Sequence, residues 1–147
     1  MAKALEMALA AQEKDEVPVG AIIADYQGKI VASAYNLKES TSNPCAHAEI
    51  LAIEQACQTL NTWRLNGYVL YVTLEPCLMC MAAISQARLD GVIFGAYDEK
   101  FGGGSNYQNP LFQKKLNHHF SIMGGINQQA CAKLLKEFFK KKRIKQK

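Results

Sequence analysis

The chain has 147 residues, 49% hydrophobic and 20% charged, which suits one packed domain, residues 1–147, that needs no disulfide staples. No apolar run approaches the roughly 20 residues that cross a bilayer. No basic segment leads into an unbroken apolar one, as in a secretory signal, so the expectation is a cytoplasmic protein with no membrane partner. The net charge of +4 is uneven: residues 133–147 carry eight Lys/Arg against one Glu, the first 132 nine basic against twelve acidic side chains. A polyanion would lean on the C-terminus, although a charge run by itself also reads as a solvated, frayed tail.

In chain order, Ala2 to Lys14 predicts an amphipathic helix with Ala4, Leu5, Ala8, Leu9 and Ala11 as its apolar stripe. Val17-Pro18-Val19-Gly20 begins an extended segment. Ala21 to Ala24 and Lys29 to Tyr35 are β-prone runs around Asp25-Tyr26-Gln27-Gly28, a hairpin with glycine at its turn. Leu37 to Asn43 reads as a polar loop, and Pro44 as the first turn of a helix reaching about Leu60. Tyr68 to Leu74 has the continuous apolar, β-branched look of a strand buried on both faces. Pro76 opens a helix over Cys77 to Ala87, closed by Asp90-Gly91, and Val92 to Ala96 is another short strand.

Strand, helix and strand with tight connections imply a parallel crossover. Asp98 to Leu116, with Gly102-Gly103-Gly104, reads as a long irregular loop, which favours a functional role. Phe120 to Gly124 is a candidate fifth strand, and Asn127 a cap for a basic last helix from about 127 to 143. This order predicts an α/β fold, a central mixed sheet with helices on both faces.

Two stretches carry chemistry. Asn43-Pro44-Cys45-Ala46-His47-Ala48-Glu49 supplies an imidazole and, two residues later, a carboxylate. Glu75-Pro76-Cys77-Leu78-Met79-Cys80 supplies two thiols three apart at a helix start, where the free N–H groups favour thiolate. Three nitrogen and sulfur ligands with a spare acid/base are the parts of a catalytic zinc site with an open position. The competing readings are a redox Cys-x-x-Cys pair, which leaves His47 and Glu49 idle, and a closed structural site with Cys45 as fourth ligand. Glu49 alone also reads as a first-turn carboxylate favoured by the helix dipole. Residues two apart in a regular helix point about 200° apart, so His47 and Glu49 share a pocket only if His47 sits at the helix mouth. Of the five cysteines, Cys57 and Cys131 fall among apolar helical positions and read as buried, inert thiols.

His47-Ala48-Glu49 followed by Pro76-Cys77-Leu78-Met79-Cys80 resembles the zinc-dependent nucleoside and nucleobase deaminases. Within them the chain is most similar to the bacterial tRNA-specific adenosine deaminases. Val17 to Ala21, Asn36, Ala46 to Glu49, Tyr71 to Cys80, Val92 to Ala96 with Asp98, Asn117-His118 and Phe138-Phe139 all have counterparts there. Cys45 departs from the usual threonine, and the stretch Asn106 to Pro110 diverges. The resemblance implies a three-layer α/β/α cytidine deaminase-like fold with a five-stranded mixed sheet. It also implies one zinc ion on His47, Cys77 and Cys80, Glu49 as proton carrier, and deamination of adenosine to inosine at the tRNA wobble position.

The same resemblance implies that Asn36, Ala46, Val19 and Leu74 surround the base and that Asp98 and Asn117 meet sugar or backbone. Asn36 also reads as a turn residue, and Val19 and Leu74 as core. Phe138 and Phe139 beside Lys140, Lys141, Lys142 and Arg143 suit a looped RNA, whose bases stack and whose phosphates need neutralising, with one Phe expected in the core. A homodimer is implied as well. The alternatives are a deaminase of a free base or nucleoside, and a non-catalytic zinc module that binds RNA.

Overall fold

Gly28 takes φ +84° in the turn after Asp25, a conformation glycine adopts without strain, and the chain doubles back into the expected hairpin. In the computed structural model, which describes residues 1–145, β1 (Gly20–Asp25) pairs antiparallel with β2 (Ile30–Tyr35). β1 is also antiparallel to β3 (Tyr68–Leu74), and β3 runs parallel to β4 (Gly91–Ala96), which runs parallel to β5 (Ser121–Met123). The five-stranded mixed sheet has the order β2-β1-β3-β4-β5, so the apolar run Tyr68 to Leu74 is its central strand.

Helices cover both faces, giving the three-layer α/β/α architecture. Ala48, Ala52 and Ala56 of α3 (Ala48–Leu60) and Met81 and Ile84 of α4 (Leu78–Gln86) share one core with Ala21, Ile23, Leu70, Val72 and Val92. On the other face α1 (Ala2–Glu13) rests on Gly20, where a Cβ would lie 2.1 Å from the Ala4 carbonyl oxygen. That approach explains a correction to the expected stripe. The seam takes only small residues, Ala4, Ala8 and Ala11, while Leu9 stands half exposed. The last helix, α7 (Gln128–Lys145), sits down on β4 in the same way, Cys131 filling the space above Gly95.

Other boundaries differ from expectation for local reasons. Lys38–Thr41 forms a short helix, α2, not an open loop, and ends at Ser42 in a left-handed conformation. Pro44 lies outside α3, which begins four residues later after a turn closed by Ala46 N–H to Asn43 O. Gly91 does not close α4 but opens β4, the helix ending at Gln86 with Ala87 as its C-cap, before Arg88 at φ +58°. The long stretch after Asp98 contains two one-turn helices, α5 (Gly104–Tyr107) and α6 (Pro110–Gln113), the second capped by the Asn109 side chain. Among the described residues, no helix is long and apolar enough to cross a membrane.

Candidate active site

Strand direction gathers the site. Because β1 and β3 are antiparallel, with Ala21 opposite Val72, the residue before β1 (Val19) lies beside the end of β3 (Leu74). Because Gly20 pairs with Tyr35, Asn36 follows at the same end, and its N–H donates to the Val19 carbonyl at 3.0 Å. Parallel pairing of Leu74 with Ala96 brings Asp98 there too. The cleft at this end, about 400 Å³, is lined by Val17, Val19, Asn36, Lys38, His47, Ala48, Glu49, Leu74, Glu75, Cys77, Asp98 and Phe101. It lies beyond the carboxyl ends of the parallel strands, where open α/β sheets bind ligands.

The N-termini of α3 and α4 meet on the cleft floor. His47 and Cys77 are their N-caps, both extended, at φ −74°, ψ 149° and φ −73°, ψ 172°. His47 Nδ1 is 3.7 Å from Cys77 Sγ and 3.6 Å from Cys80 Sγ, and the three ligand atoms lie within 4.8 Å of one another. A tetrahedral ion with bonds of about 2.3 Å to sulfur and about 2.05 Å to nitrogen separates such atoms by about 3.6 Å. The donor set therefore fits a zinc-like ion without rearrangement. Cys45 is exposed and does not belong to the group, which removes the basis for a closed four-ligand site.

The extended backbone of His47 also resolves the spacing problem. As an N-cap it stands outside the helical rotation, so its ring and the Glu49 carboxyl, in the first turn of α3, reach the same cleft. Glu49 is almost wholly buried, and burial, the largest influence, pushes its carboxyl up to about 7. Cys77 carries the thiolate of the pair. The hydrogen bond from Cys80, then the one with His47, holds its thiol down to about 4. The Cys80 thiol is pushed up by its hydrogen bond to Cys77 and by burial. The Cys77 thiolate raises the His47 imidazolium in turn.

Glu75, which the sequence marked only as the neighbour of the thiol motif, anchors the cleft wall. Its Oε2 accepts the Asp98 N–H and its Oε1 the Gly104 N–H, both at 3.0 Å. Gly103 N–H donates to the Pro76 carbonyl, and Gly102 bridges Cys77. A Cβ on Gly102 would come within 2.4 Å of the Glu75 carboxyl carbon, which is why the run is glycine. The rim ends in Phe101, 64% exposed, with the Lys100 ammonium 5.0 Å from its ring centre. One Asp98 carboxyl oxygen accepts the N–H groups of Lys100 and Phe101.

Of the other anticipated residues, Ala46 is buried outside the cleft lining and its carbonyl accepts the Leu37 N–H. Asn117 is exposed and likewise outside the lining. Phe138, Phe139, Lys142 and Arg143 line a second groove of about 650 Å³ with Lys14, Asp15, Val17, Glu39 and Ser40, and Val17 belongs to both. Phe138 is the core member of the aromatic pair; Phe139 is 46% exposed. Lys142 Nζ pairs with Asp15 at 2.6 Å and lies over the Phe138 ring, fastening α7 to the segment after α1. Lys140, Lys141 and Arg143 are exposed. Lys38, Phe101 and the fully buried Glu16 were not anticipated. A charged residue directly before the extended Val17-Pro18-Val19 run was the only sequence signal for Glu16.

Comparison with known proteins agrees with this geometry. The MafB19-like deaminase family matches residues 1–143. The tRNA-specific adenosine deaminase of Aquifex aeolicus is 49% identical over 140 residues, 95% of this chain and 91% of that protein. Its Bacillus subtilis counterpart is 43% identical over 147 residues, 100% of this chain and 91% of that protein. A structure from work on A-to-I editing by tRNA:A34 deaminases at the wobble position of transfer RNA superposes with a TM-score of 0.84. It is 38% identical and covers 92% of this chain and 97% of that one. With a three-ligand metal seat and a buried carboxyl in one cleft, this chain belongs to the MafB19-like deaminases and, among them, to the tRNA-specific adenosine deaminase family.

Proposed function

We propose that this protein is a zinc-dependent hydrolase that deaminates adenosine to inosine at the wobble position of a tRNA anticodon. The observation that carries the reading is Glu49, a buried carboxyl in the cleft of the His47, Cys77 and Cys80 seat, in a chain whose relatives over nearly its whole length are named tRNA-specific adenosine deaminases. Zinc bound by His47, Cys77 and Cys80 would supply the Lewis acidity that brings a water's pKa toward neutrality. Glu49 takes the water's proton, delivers it to N1 of the adenine as oxygen adds to C6, then carries the next proton to the departing amine. Water enters and ammonia leaves. Burial, which raises this carboxyl, favours its protonated form and so suits it to give up a proton as well as to take one.

The target base must leave the anticodon stack to enter the cleft. Asn36 hydrogen-bonds it, Val19 and Leu74 wall it, and Asp98 meets its sugar. Ala46 shapes the floor through its backbone bond to Leu37, and Asn117 serves flanking nucleotides. Phe139 with Phe138 behind it, and Lys140, Lys141 and Arg143, contact the loop's bases and phosphates. The Lys142 ammonium, expected from the basic run to neutralise phosphates as well, is engaged by Asp15 and acts by holding α7 in place. Residues 1–147 form one deaminase unit, a cytoplasmic homodimer with one zinc per subunit.

The test is sequencing of tRNA after incubation with zinc-loaded protein. A-to-I change confined to the wobble position is expected. Ammonia release from free guanine, cytosine or nucleosides, with tRNA unchanged, would establish the small-substrate reading instead.

A further inference from the structure

α1 closes in a Schellman motif, the Glu16 N–H donating to the Ala11 carbonyl at 3.1 Å and the Asp15 N–H to the Gln12 carbonyl at 3.0 Å. The motif holds Asp15 in the left-handed region, at φ +61°, where glycine carries least strain. The Asp15 carboxylate makes one hydrogen bond among the described residues, with the Lys142 ammonium at 2.6 Å, 127 residues along the chain. That bond holds the Asp15 carboxyl below its ordinary value. Glu16 beside it is fully buried, its oxygens accepting the Ser40 N–H at 2.6 Å and the Glu39 N–H at 3.2 Å, which fixes the position of Asp15.

Asp15 stands between two hollows lined by cations. It borders the groove of about 650 Å³ with Lys14, Lys142 and Arg143, and a smaller one of about 160 Å³ with Lys141, Lys142 and Lys145. The larger groove shares Val17 with the catalytic cleft and carries the half-exposed Phe139. A nucleotide flanking the one in the cleft would lie there. Lys142 borders both hollows, and its charge is already answered by the protein itself. The pair helps to fasten α7, but Cys131 above Gly95, the buried Phe138 and Leu135 against the core seat the helix as well. Lys142 can therefore change partner without the helix leaving the sheet.

We propose that the Asp15 carboxylate occupies a phosphate subsite: it competes with a backbone phosphodiester of the bound RNA for Lys142, and so holds the RNA affinity of α7 below what its cations alone would give. The inference rests on the proposed RNA-editing reading, since the competitor is a polyanion's phosphate. Carboxylate and phosphodiester oxygens accept from an ammonium in the same way. Each phosphate that takes a lysine releases a counterion. Where Lys142 leaves Asp15 for a phosphate, the freed carboxylate attracts a cation in turn, and the exchange adds nothing net to the salt dependence. Without the Asp15 charge the same contact adds roughly 0.7 to the log–log slope on a single strand.

The test is a double-mutant cycle on binding by the zinc-loaded protein. The probe is a fluorescein-labelled anticodon stem–loop RNA with inosine, the product, at the wobble position, so that no turnover intervenes. Anisotropy titrations at several salt concentrations give Kd and its slope. Asp15→Asn keeps the size of the side chain and suits the left-handed backbone. Lys142→Met keeps the apolar stem over Phe138 and loses the charge. Asp15→Asn should bind the RNA about 2- to 5-fold more tightly at low salt, with a slope steeper by roughly 0.7. In the Lys142→Met background both effects should vanish.

An equal or larger gain in the Lys142→Met background means that Asp15 acts only by repelling RNA, and overturns the proposal. Asp15→Asn binding like wild type overturns it too. A purely structural pair gives the reverse sign, since Asp15→Asn would then loosen α7 and weaken binding. Inosine formation and RNA binding by the wild-type protein beside a flat cycle refute this inference alone. Failure of every variant to bind the RNA refutes the editing reading itself, and this inference falls with it.

Discussion

Glu49→Gln should make this protein more stable while abolishing its activity. A carboxyl moved from 4.5 to about 7 by burial carries a penalty on its ionised form on the order of 3 kcal/mol. The folded state binds the Glu49 proton more tightly than the unfolded state does. Its contribution is therefore intact below about 4.5 and is lost as pH rises through about 7. Glutamine keeps the shape and carries no charge at any pH. In chelator-treated protein at pH 8 the variant should melt about 6–12 °C above wild type, from the usual 2–4 °C per kcal/mol at this size. The gap should close at pH 4.5.

With zinc loaded, the ion's charge lowers the wild-type carboxyl and the gap should narrow, while inosine formation by the variant falls by about 10²–10⁴-fold or more. The assay is a pair of pH-dependent melting series with and without chelator, beside single-turnover deamination. Equal or lower stability of Glu49→Gln at pH 8, or a gap that persists in acid, would refute the assignment of Glu49 as a buried proton carrier.

Phe101→Ala removes an exposed ring from the cleft rim and should raise KM for tRNA roughly 5- to 100-fold, the worth of one base–aromatic stack, with Glu49 chemistry in single turnover unchanged. Replacing Lys140, Lys141 and Arg143 by alanine should weaken tRNA binding and flatten its log–log salt dependence by about 2, at roughly 0.7 per phosphate contact; fluorescence titration at several salt concentrations reads both. Cys45→Ser should leave one zinc per chain by metal analysis, since Cys45 lies outside the ligand group, and loss of metal would reinstate a closed site.

Local features of the sequence carried most of the sheet. Tyr68 to Leu74 carries no charged residue because it is the central strand of a sheet with helices on both faces, and Gly28 marks the β1–β2 hairpin by a backbone angle glycine tolerates. The metal seat was legible because ligand chemistry restricts residue type as well as spacing. The roles of Glu16 and Glu75 were not, since each carboxylate binds backbone donors 23 to 29 residues away, and a backbone N–H leaves no mark on residue identity. Leu9 misled for a related reason. Periodicity fixes which residues share a helix face, but the width of the seam depends on Gly20, which lies in another element.

The β-bridge that sets Gly102 against Cys77, closed by the Gly103 N–H on the Pro76 carbonyl and by Glu75 gripping Asp98 and Gly104, divides the chain between chemistry and choice. The cleft wall from Asp98 to Gly104 is tied to the thiol motif. Beyond it, through α5 and α6 to Leu116, the chain makes no hydrogen bond to the metal-binding residues among the described residues. None of these residues lines the cleft, so exposed positions there can drift without moving a ligand of the ion, whereas Tyr107, buried and bonded through its hydroxyl to Phe120, cannot. An engineer altering this edge of the domain would begin at the exposed positions from Ser105 onward and leave the glycines and Tyr107 alone.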